Sequence, residues 1–249
     1  MAAEWPTILS AAVHGTGPRC LSKFSPDSNP LPVATRIDVR PALALYRHER
    51  PFIRLFTLAR HLLAPLRQVA AQVPSRGRIL DLGCGHGLFT NLLALGSAER
   101  SLLGVDPSSA KLAVARRSSA GLPNVRYVEG RIEDVRERDF AAITILDVLY
   151  LLPDEQKLAI LRRCRQLIAP DGLLLVKTND TRPRWKLAVV RLEEELMVRV
   201  LGLTFGGELH FRGVPEYSAL LETAGFQTRV LNVDSWLPVP HRLFLCRPR

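Results

Sequence analysis

The stretch Arg78-Ile-Leu-Asp-Leu-Gly-Cys-Gly-His-Gly-Leu-Phe-Thr90 constrains this chain more than any other. An apolar run carries an acid, Asp81, near its end. Three glycines follow at alternate positions, Gly83, Gly85 and Gly87, and a helical pattern of Leu88, Leu92, Leu93 and Leu95 begins at once. Strand, tight turn and helix are the expected outcome. Glycine admits positive φ and lets a ligand lie against bare backbone. A helix opening directly behind the turn offers free N–H groups to an anionic group such as a carboxylate. Nineteen residues past Gly87, Asp106 closes the run Leu102-Leu103-Gly104-Val105. An acid at the end of a second strand can hold a ribose diol at the edge of a nucleotide pocket.

The competing pattern is the dinucleotide fingerprint G-x-G-x-x-G. Here the spacing is G-x-G-x-G, and Asp81 stands two residues before the first glycine. A carboxylate that close would oppose a pyrophosphate and favour an ammonium group. A bare strand–helix corner would explain the glycines but neither acid. Asp81, the glycines and Asp106 together resemble the class I S-adenosylmethionine-dependent methyltransferases, whose first motif reads apolar-acid-apolar-Gly-x-Gly-x-Gly. The resemblance covers about residues 76–249. It implies a Rossmann-like, doubly wound α/β fold: a seven-stranded sheet, mostly parallel with an antiparallel last strand, plus helical N-terminal and cap segments.

The rest of the chain fits that outline. Residues 1–41 carry Pro6, Pro18, Pro26, Pro30, Pro32 and Pro41 and show no period, so an irregular arm is expected. Residues 42–75 read as helical, with Phe52, Leu55, Phe56, Ala59, Leu62, Leu63, Leu66, Ala70 and Val73 on one face and Arg54, Arg60, Arg67 and Gln68 opposite. Pro51 suits a helix start and Pro65 a kink or split. This segment is expected to pack on the sheet or cover the cleft, with a membrane-surface role as the alternative. Strand patterns fall at 78–82, 102–106, 125–129, 140–146, 172–178, 226–233 and 241–246. Helical patterns fall at 88–95, 108–119, 154–168 and 215–224, with Asp154 as a helix cap. Residues 179–214 read as a cap insertion containing an amphipathic helix over 184–203.

The length of 249 residues suits one domain with an appendage. A net charge of +10, spread through the sequence, suits a solvated surface; nucleic acid or an anionic membrane surface are the other partners it would allow. Cys20, Cys84, Cys164 and Cys246 form no C-x-x-C pair and have no His at ligand spacing, so no metal is expected, and a reducing cytoplasm is the simplest compartment. No signal peptide is evident. The longest apolar run, 140–152, contains Asp147 and is too short to span a bilayer.

Ligands of open α/β sheets bind at the carboxyl ends of the strands. The resemblance implies S-adenosylmethionine there, its methionine part on Gly83, Gly85 and Gly87, its ammonium held by Asp81 and its ribose by Asp106, with Pro107 and Asp147 alongside. Gly130-Arg-Ile-Glu-Asp134 is similar to the family's third segment, so Ile132 would flank the adenine and Glu133 lie near its amino group. Asp147-Val-Leu-Tyr150 stands where small-molecule methyltransferases often read Val-Leu-His-His, which makes Tyr150 substrate-facing. An oxygen acceptor must lose its proton, and His210, His241 and His86 are the candidates, His210 first. Arg182, Arg184 and Arg212 could bind an acidic substrate group. The expected reaction is methylation, on oxygen or nitrogen, of a small hydrophobic or aromatic acceptor. An RNA methyltransferase is the alternative enzyme, although the chain lacks both an aromatic-basic RNA module and Asn-Pro-Pro-Tyr. A non-catalytic, methyltransferase-like binding protein is the alternative of another class.

Overall fold

The computed structural model describes residues 38–181, 210–233 and 240–249. The expected arm before residue 38, the expected helix at 184–203, and Arg182 and Arg184 lie outside the described residues. From the glycine turn onward, strand and helix alternate: β1 (Gly77–Leu82), α4 (Leu88–Gly96), β2 (Arg100–Asp106), α5 (Ser109–Ser118), β3 (Val125–Glu129), β4 (Phe140–Leu146), α6 (Asp154–Leu167) and β5 (Ile168–Asn179). Before them come α1 (Arg40–Ala44), α2 (Pro51–Leu63) and α3 (Leu66–Ala70). After them come α7 (Val214–Thr223), β6 (Phe226–Asn232) and β7 (His241–Pro248). Single 3₁₀ turns cover Ile132–Asp134 and Leu149–Leu151.

The seven strands form one sheet in the order β3-β2-β1-β4-β5-β7-β6. Neighbours from β3 to β5 pair in parallel, whereas β7 runs antiparallel to both β5 and β6. Parallel strands need crossovers, and α4, α5 and α6 supply them. Side chains alternate across the pleat. Ile79, Leu102, Ala142, Leu175 and Leu243 enter the core on one face of the sheet, with Leu92 and Leu93 of α4. Leu80, Leu103, Ile143, Leu174 and Phe244 enter the other, with Leu161 of α6 and Leu221 of α7. Burial on both faces explains why these strands read as continuous apolar runs.

Three local expectations change. The residues expected as the last of the arm already enter α1, where Pro41 occupies the first turn. Pro153, not Asp154, is the N-cap residue of α6. The carboxylate of Asp154 instead accepts from Lys157 Nζ at 2.9 Å and from Arg212. Strand β5 begins at Ile168 rather than 172, because Ile168 already pairs with Phe140 before the register jumps to Ala142–Leu173 across Pro170-Asp171-Gly172.

The N-terminal helices behave as their prolines dictate. Pro51 opens α2. The residue before a proline is driven out of the helical region, and Ala64, at φ −98° and ψ 141°, ends α2 ahead of Pro65. The apolar stripe of α2 is not buried as a stripe. Phe56 and Leu63 face inward onto the cleft, while Leu55 is 66% exposed and Leu62 49%.

Candidate functional site

Strand order reverses direction between β1 and β4, and a cleft opens there at the carboxyl ends of the strands, where such sheets bind ligands. Its cavity of about 350 Å³ is lined by the glycine turn, the end of β2, the segment after β4, and α2. Gly83, Gly85 and Gly87 all take positive φ, at 75°, 54° and 81°. Their surroundings differ. A Cβ on Gly83 would strike the side chain of Val148, and one on Gly87 would strike Tyr127 and Ala115. A Cβ on Gly85 would meet nothing within 4 Å. Gly83 and Gly87 therefore let the chain pack, and Gly85 leaves bare backbone facing open space in the cleft wall.

The turn is braced from beneath. Tyr46 Oη donates to the His86 carbonyl at 2.8 Å, and Tyr127 Oη donates to Asn91 Oδ1 at 2.8 Å. Asp106 holds the turn from the side, since its Oδ2 accepts the Gly85 N–H at 2.9 Å and its Oδ1 accepts the Ser108 N–H at 2.9 Å. Each of those oxygens keeps a second lone pair, and Asp106 and Pro107 line the cleft. Asp81 lies on the cleft floor and is nearly fully buried. Burial raises its pKa, opposed by the hydroxyls of Thr90 and Thr144, which donate to its two oxygens at 2.6 and 2.8 Å.

Asp147, just past the end of β4, adopts φ 57°, an uncommon conformation for a non-glycine residue. Its carboxylate joins three elements. Oδ1 accepts from Lys177 Nζ of β5 at 2.6 Å, and Oδ2 accepts from Arg60 Nη2 of α2 at 2.7 Å. Burial alone would raise its pKa, but Lys177 and then Arg60 outweigh burial and hold it down at about 2. Sequence reasoning placed Arg60 on the face away from the apolar stripe. The structure turns it into the cleft, because apolar residues wrap most of α2 and the stripe does not identify the inward side.

The three candidate bases stand in different places. His86 lines the cleft, its ring 5.0 Å from that of Phe56. Burial, with Lys111 nearby, lowers its pKa to about 4. His241 opens β7, and the antiparallel register sets it opposite Asn179 at the cleft end of β5. Its Nδ1 lies 2.9 Å from Asn179 Oδ1 and its Nε2 2.9 Å from the Leu63 carbonyl. Both nitrogens are thus engaged in joining the end of α2 to the sheet. His210, the first candidate by sequence, is not among the described residues lining the cleft. Its N–H donates to the Tyr150 carbonyl at 2.7 Å and its carbonyl accepts from Lys157 Nζ at 2.8 Å. Next to it, Phe211 stacks on Tyr150 with ring centroids 5.0 Å apart, and Tyr150 lines the cleft. Arg212, proposed from sequence for an acidic substrate group, instead pairs with Asp154 through two contacts of 3.2 and 2.6 Å. Ile132 is buried and Glu133 exposed in the turn after β3, outside the described lining of the cavity.

Comparison with known proteins agrees with this geometry. Residues 79–172 match a family described as a methyltransferase domain. A ubiquinone biosynthesis O-methyltransferase of Xanthomonas axonopodis pv. citri is 32% identical over 189 residues, which is 73% of this chain and 76% of the relative. A protein of the same name from Haemophilus ducreyi is 30% identical over 147 residues, 53% of this chain and 60% of that one. Among solved structures, the mitomycin 7-O-methyltransferase MmcR superposes with a TM-score of 0.63 at 24% identity, over 83% of this chain. The match spans 60% of that structure's length. At that identity it speaks for the fold alone. A glycine turn with one glycine facing open space, an acid closing the second strand, the seven-strand order with β7 antiparallel, and a relative 32% identical over most of both chains lead to one assignment: the chain belongs to the class I S-adenosylmethionine-dependent methyltransferases.

Proposed function

We propose that the protein methylates an acidic hydroxyl, phenolic or enolic, on a small hydrophobic acceptor. The observation that carries this reading is the composition of the cleft. Beside the glycine turn its wall is apolar, built from Phe56, Leu63, Leu146, Val148, Tyr150 and Leu151, and its cationic groups are Arg60 and Lys111. The names of the ubiquinone biosynthesis O-methyltransferase relatives support a small acceptor and oxygen as the methylated atom.

The residues present fit S-adenosylmethionine. The uncovered backbone at Gly85 suits close approach of the methionine part. The second lone pairs of Asp106 suit the ribose hydroxyls, and Asp81 suits the ammonium. When bound, the cofactor supplies a methyl group already activated on a sulfonium. This chain then has to hold an acceptor oxygen in line with that methyl and exclude water, and alignment alone can account for much of the rate. The apolar wall does both. Asp147, held near pKa 2 between its two cations, and His86, lowered to about 4, are weak bases. That favours a hydroxyl acidic enough to ionise without a strong protein base; the cleft's cations, Lys111 and the Asp147-paired Arg60, stand among the carboxylates Asp81, Asp106 and Asp147.

The experiment is turnover across a series of substituted phenols of graded pKa. With rates governed by ionisation of the acceptor, kcat/KM rises with pH up to each phenol's own pKa and levels off there. An inflection at one fixed pH, the same for every phenol, would assign the proton transfer to a protein group instead. If that inflection disappeared in His210→Ala, it would identify His210, the first candidate by sequence, as the base.

A further inference from the structure

We propose that the outer face of α1 and α2 docks on an anionic lipid membrane. The inner side of α2 is already used, since Phe56, Thr57, Arg60 and Leu63 line the cleft. On its outer side four large apolar side chains stand in solvent: Phe52 at 40% exposure, Leu55 at 66%, Leu58 at 44% and Leu62 at 49%. At 100° per residue they fall within one arc of about 120°, a continuous apolar strip on a helix with no partner on that side among the described residues. Beside the strip an open groove between α1 and α2 is lined by Leu43, Leu55 and Leu58 together with Arg40, Arg47 and Arg54.

The charge around this strip decides between occupants. Residues 50–80 contain six arginines and no aspartate or glutamate. The two acids just before them are engaged. Glu49 accepts from Arg117 at 2.9 and 2.8 Å, and Asp38 Oδ1 accepts the Arg40 N–H at 3.0 Å. Arg60 is taken by Asp147 on the cleft side, but Arg40, Arg47 and Arg54 line the groove beside the strip. A leucine strip bordered by these arginines matches the interface of an anionic bilayer, where apolar side chains enter the acyl boundary and arginines meet phosphates. A second copy fits less well. A two-fold contact pairs a patch with itself, which sets the arginines of one copy against those of the other. Nucleic acid would leave the leucines in water. No helix among the described residues is long and apolar enough to cross a membrane, so the contact is peripheral. If the acceptor is hydrophobic, as proposed above, this places the cleft on the other side of the very helix that rests on the lipid. Vesicle binding itself does not depend on that reading.

The test is co-sedimentation of the full chain with vesicles of phosphatidylcholine, alone or mixed with phosphatidylglycerol. The protein should bind the mixed vesicles, much less the neutral ones, and release as salt screens the phosphates. Leu55→Glu/Leu58→Glu/Leu62→Glu should lower the partition coefficient at least ~10-fold, with S-adenosylmethionine affinity by calorimetry unchanged as the control for folding. Arg47→Gln/Arg54→Gln, which spares the apolar strip, should weaken binding to the mixed vesicles specifically. The proposal is overturned if the full chain ignores the mixed vesicles, or if it binds them equally well in both variants. It is also overturned if light scattering shows a dimer that the triple glutamate variant splits while vesicles are not bound. Vesicle binding that appears only after removal of residues 1–37 would make that segment the occupant and overturn it too.

Discussion

Asp147 shows how one side chain carries several duties. It stands in the cleft just past the carboxyl end of β4, in a left-handed backbone conformation, and its carboxylate is bonded to both Arg60 and Lys177. Its folded pKa of about 2 lies below the ordinary 3.8. A depressed carboxylate contributes stability that is fully present above the ordinary value and is lost as pH falls through the folded one. The difference corresponds to about 2 kcal/mol, lost between about pH 5 and pH 2. Urea unfolding of the wild type across that range should show this loss, and Asp147→Asn should lack that component. Because the substitution removes the negative charge that Lys177 and Arg60 both face, it should also destabilise the protein at neutral pH by ~3–5 kcal/mol. Equal stability of the two proteins at pH 7 would mean that the ion pairs contribute nothing. At the opposite wall, Asp106→Ala should weaken S-adenosylmethionine binding by roughly 1.5–3 kcal/mol, the range of a hydrogen bond to a charged group. Asp106→Asn, which retains an acceptor for the Gly85 N–H, should weaken it less. Unchanged calorimetric affinity in a folded alanine variant would remove Asp106 from the cofactor site. Both acids were visible in the sequence, Asp106 from its place after an apolar run. The bracing of the turn was not. Tyr127 and Tyr46 contact it from positions 40 residues away in sequence, a distance that no local pattern encodes.

At the scale of elements, the strands were the most legible feature and the helix α2 the least. Strands β1 to β4 fall within one or two residues of their apolar runs, because a strand buried on both faces must be apolar throughout. Only β5 departs, by taking in the Pro170-Asp171-Gly172 detour. Helix α2 was expected from period and prolines, and its bounds follow Pro51 and Pro65. Its orientation could not be read, since apolar residues surround most of its circumference and its inward cation, Arg60, has the same local sequence signature as an outward one. Among the links that hold α2 at the cleft are Arg60 to Asp147 and the Leu63 carbonyl to His241. Arg60→Met keeps much of the side-chain bulk and removes the first link. Amide exchange across α2 should then accelerate, its opening free energy falling by roughly 1–3 kcal/mol, while β1 and β4 keep their protection. Exchange that is unchanged in α2, or faster everywhere alike, would show that Arg60 does not secure the helix.

For the whole molecule, topology and chemistry meet at one end of the sheet. The reversal of strand order opens the cleft between β1 and β4. The antiparallel course of β7 returns His241 to the same end, where it joins α2 to β5. The fold could be inferred before any coordinates because glycine turn, acids and strand rhythm agree with one another, and such agreement between local and global signals is what specifies a fold. The identity of a base could not. His210 is held through its backbone by Tyr150 and Lys157 and its neighbour Arg212 pairs with Asp154, while His86 enters the cleft as part of the glycine turn itself, so more than one imidazole remains a candidate. The central claim is that methyl groups pass from S-adenosylmethionine to a small hydrophobic hydroxyl acceptor in this cleft. The most direct measurement is transfer of isotope-labelled methyl from S-adenosylmethionine by the purified chain to a panel of hydrophobic phenols and, in parallel, to RNA, with the products resolved by mass. The expected result is a labelled methyl ether from one or more phenols, abolished or strongly reduced in Asp106→Ala, and no label in RNA. Label in RNA with none in the phenols, or firm cofactor binding without transfer to any acceptor, would contradict it.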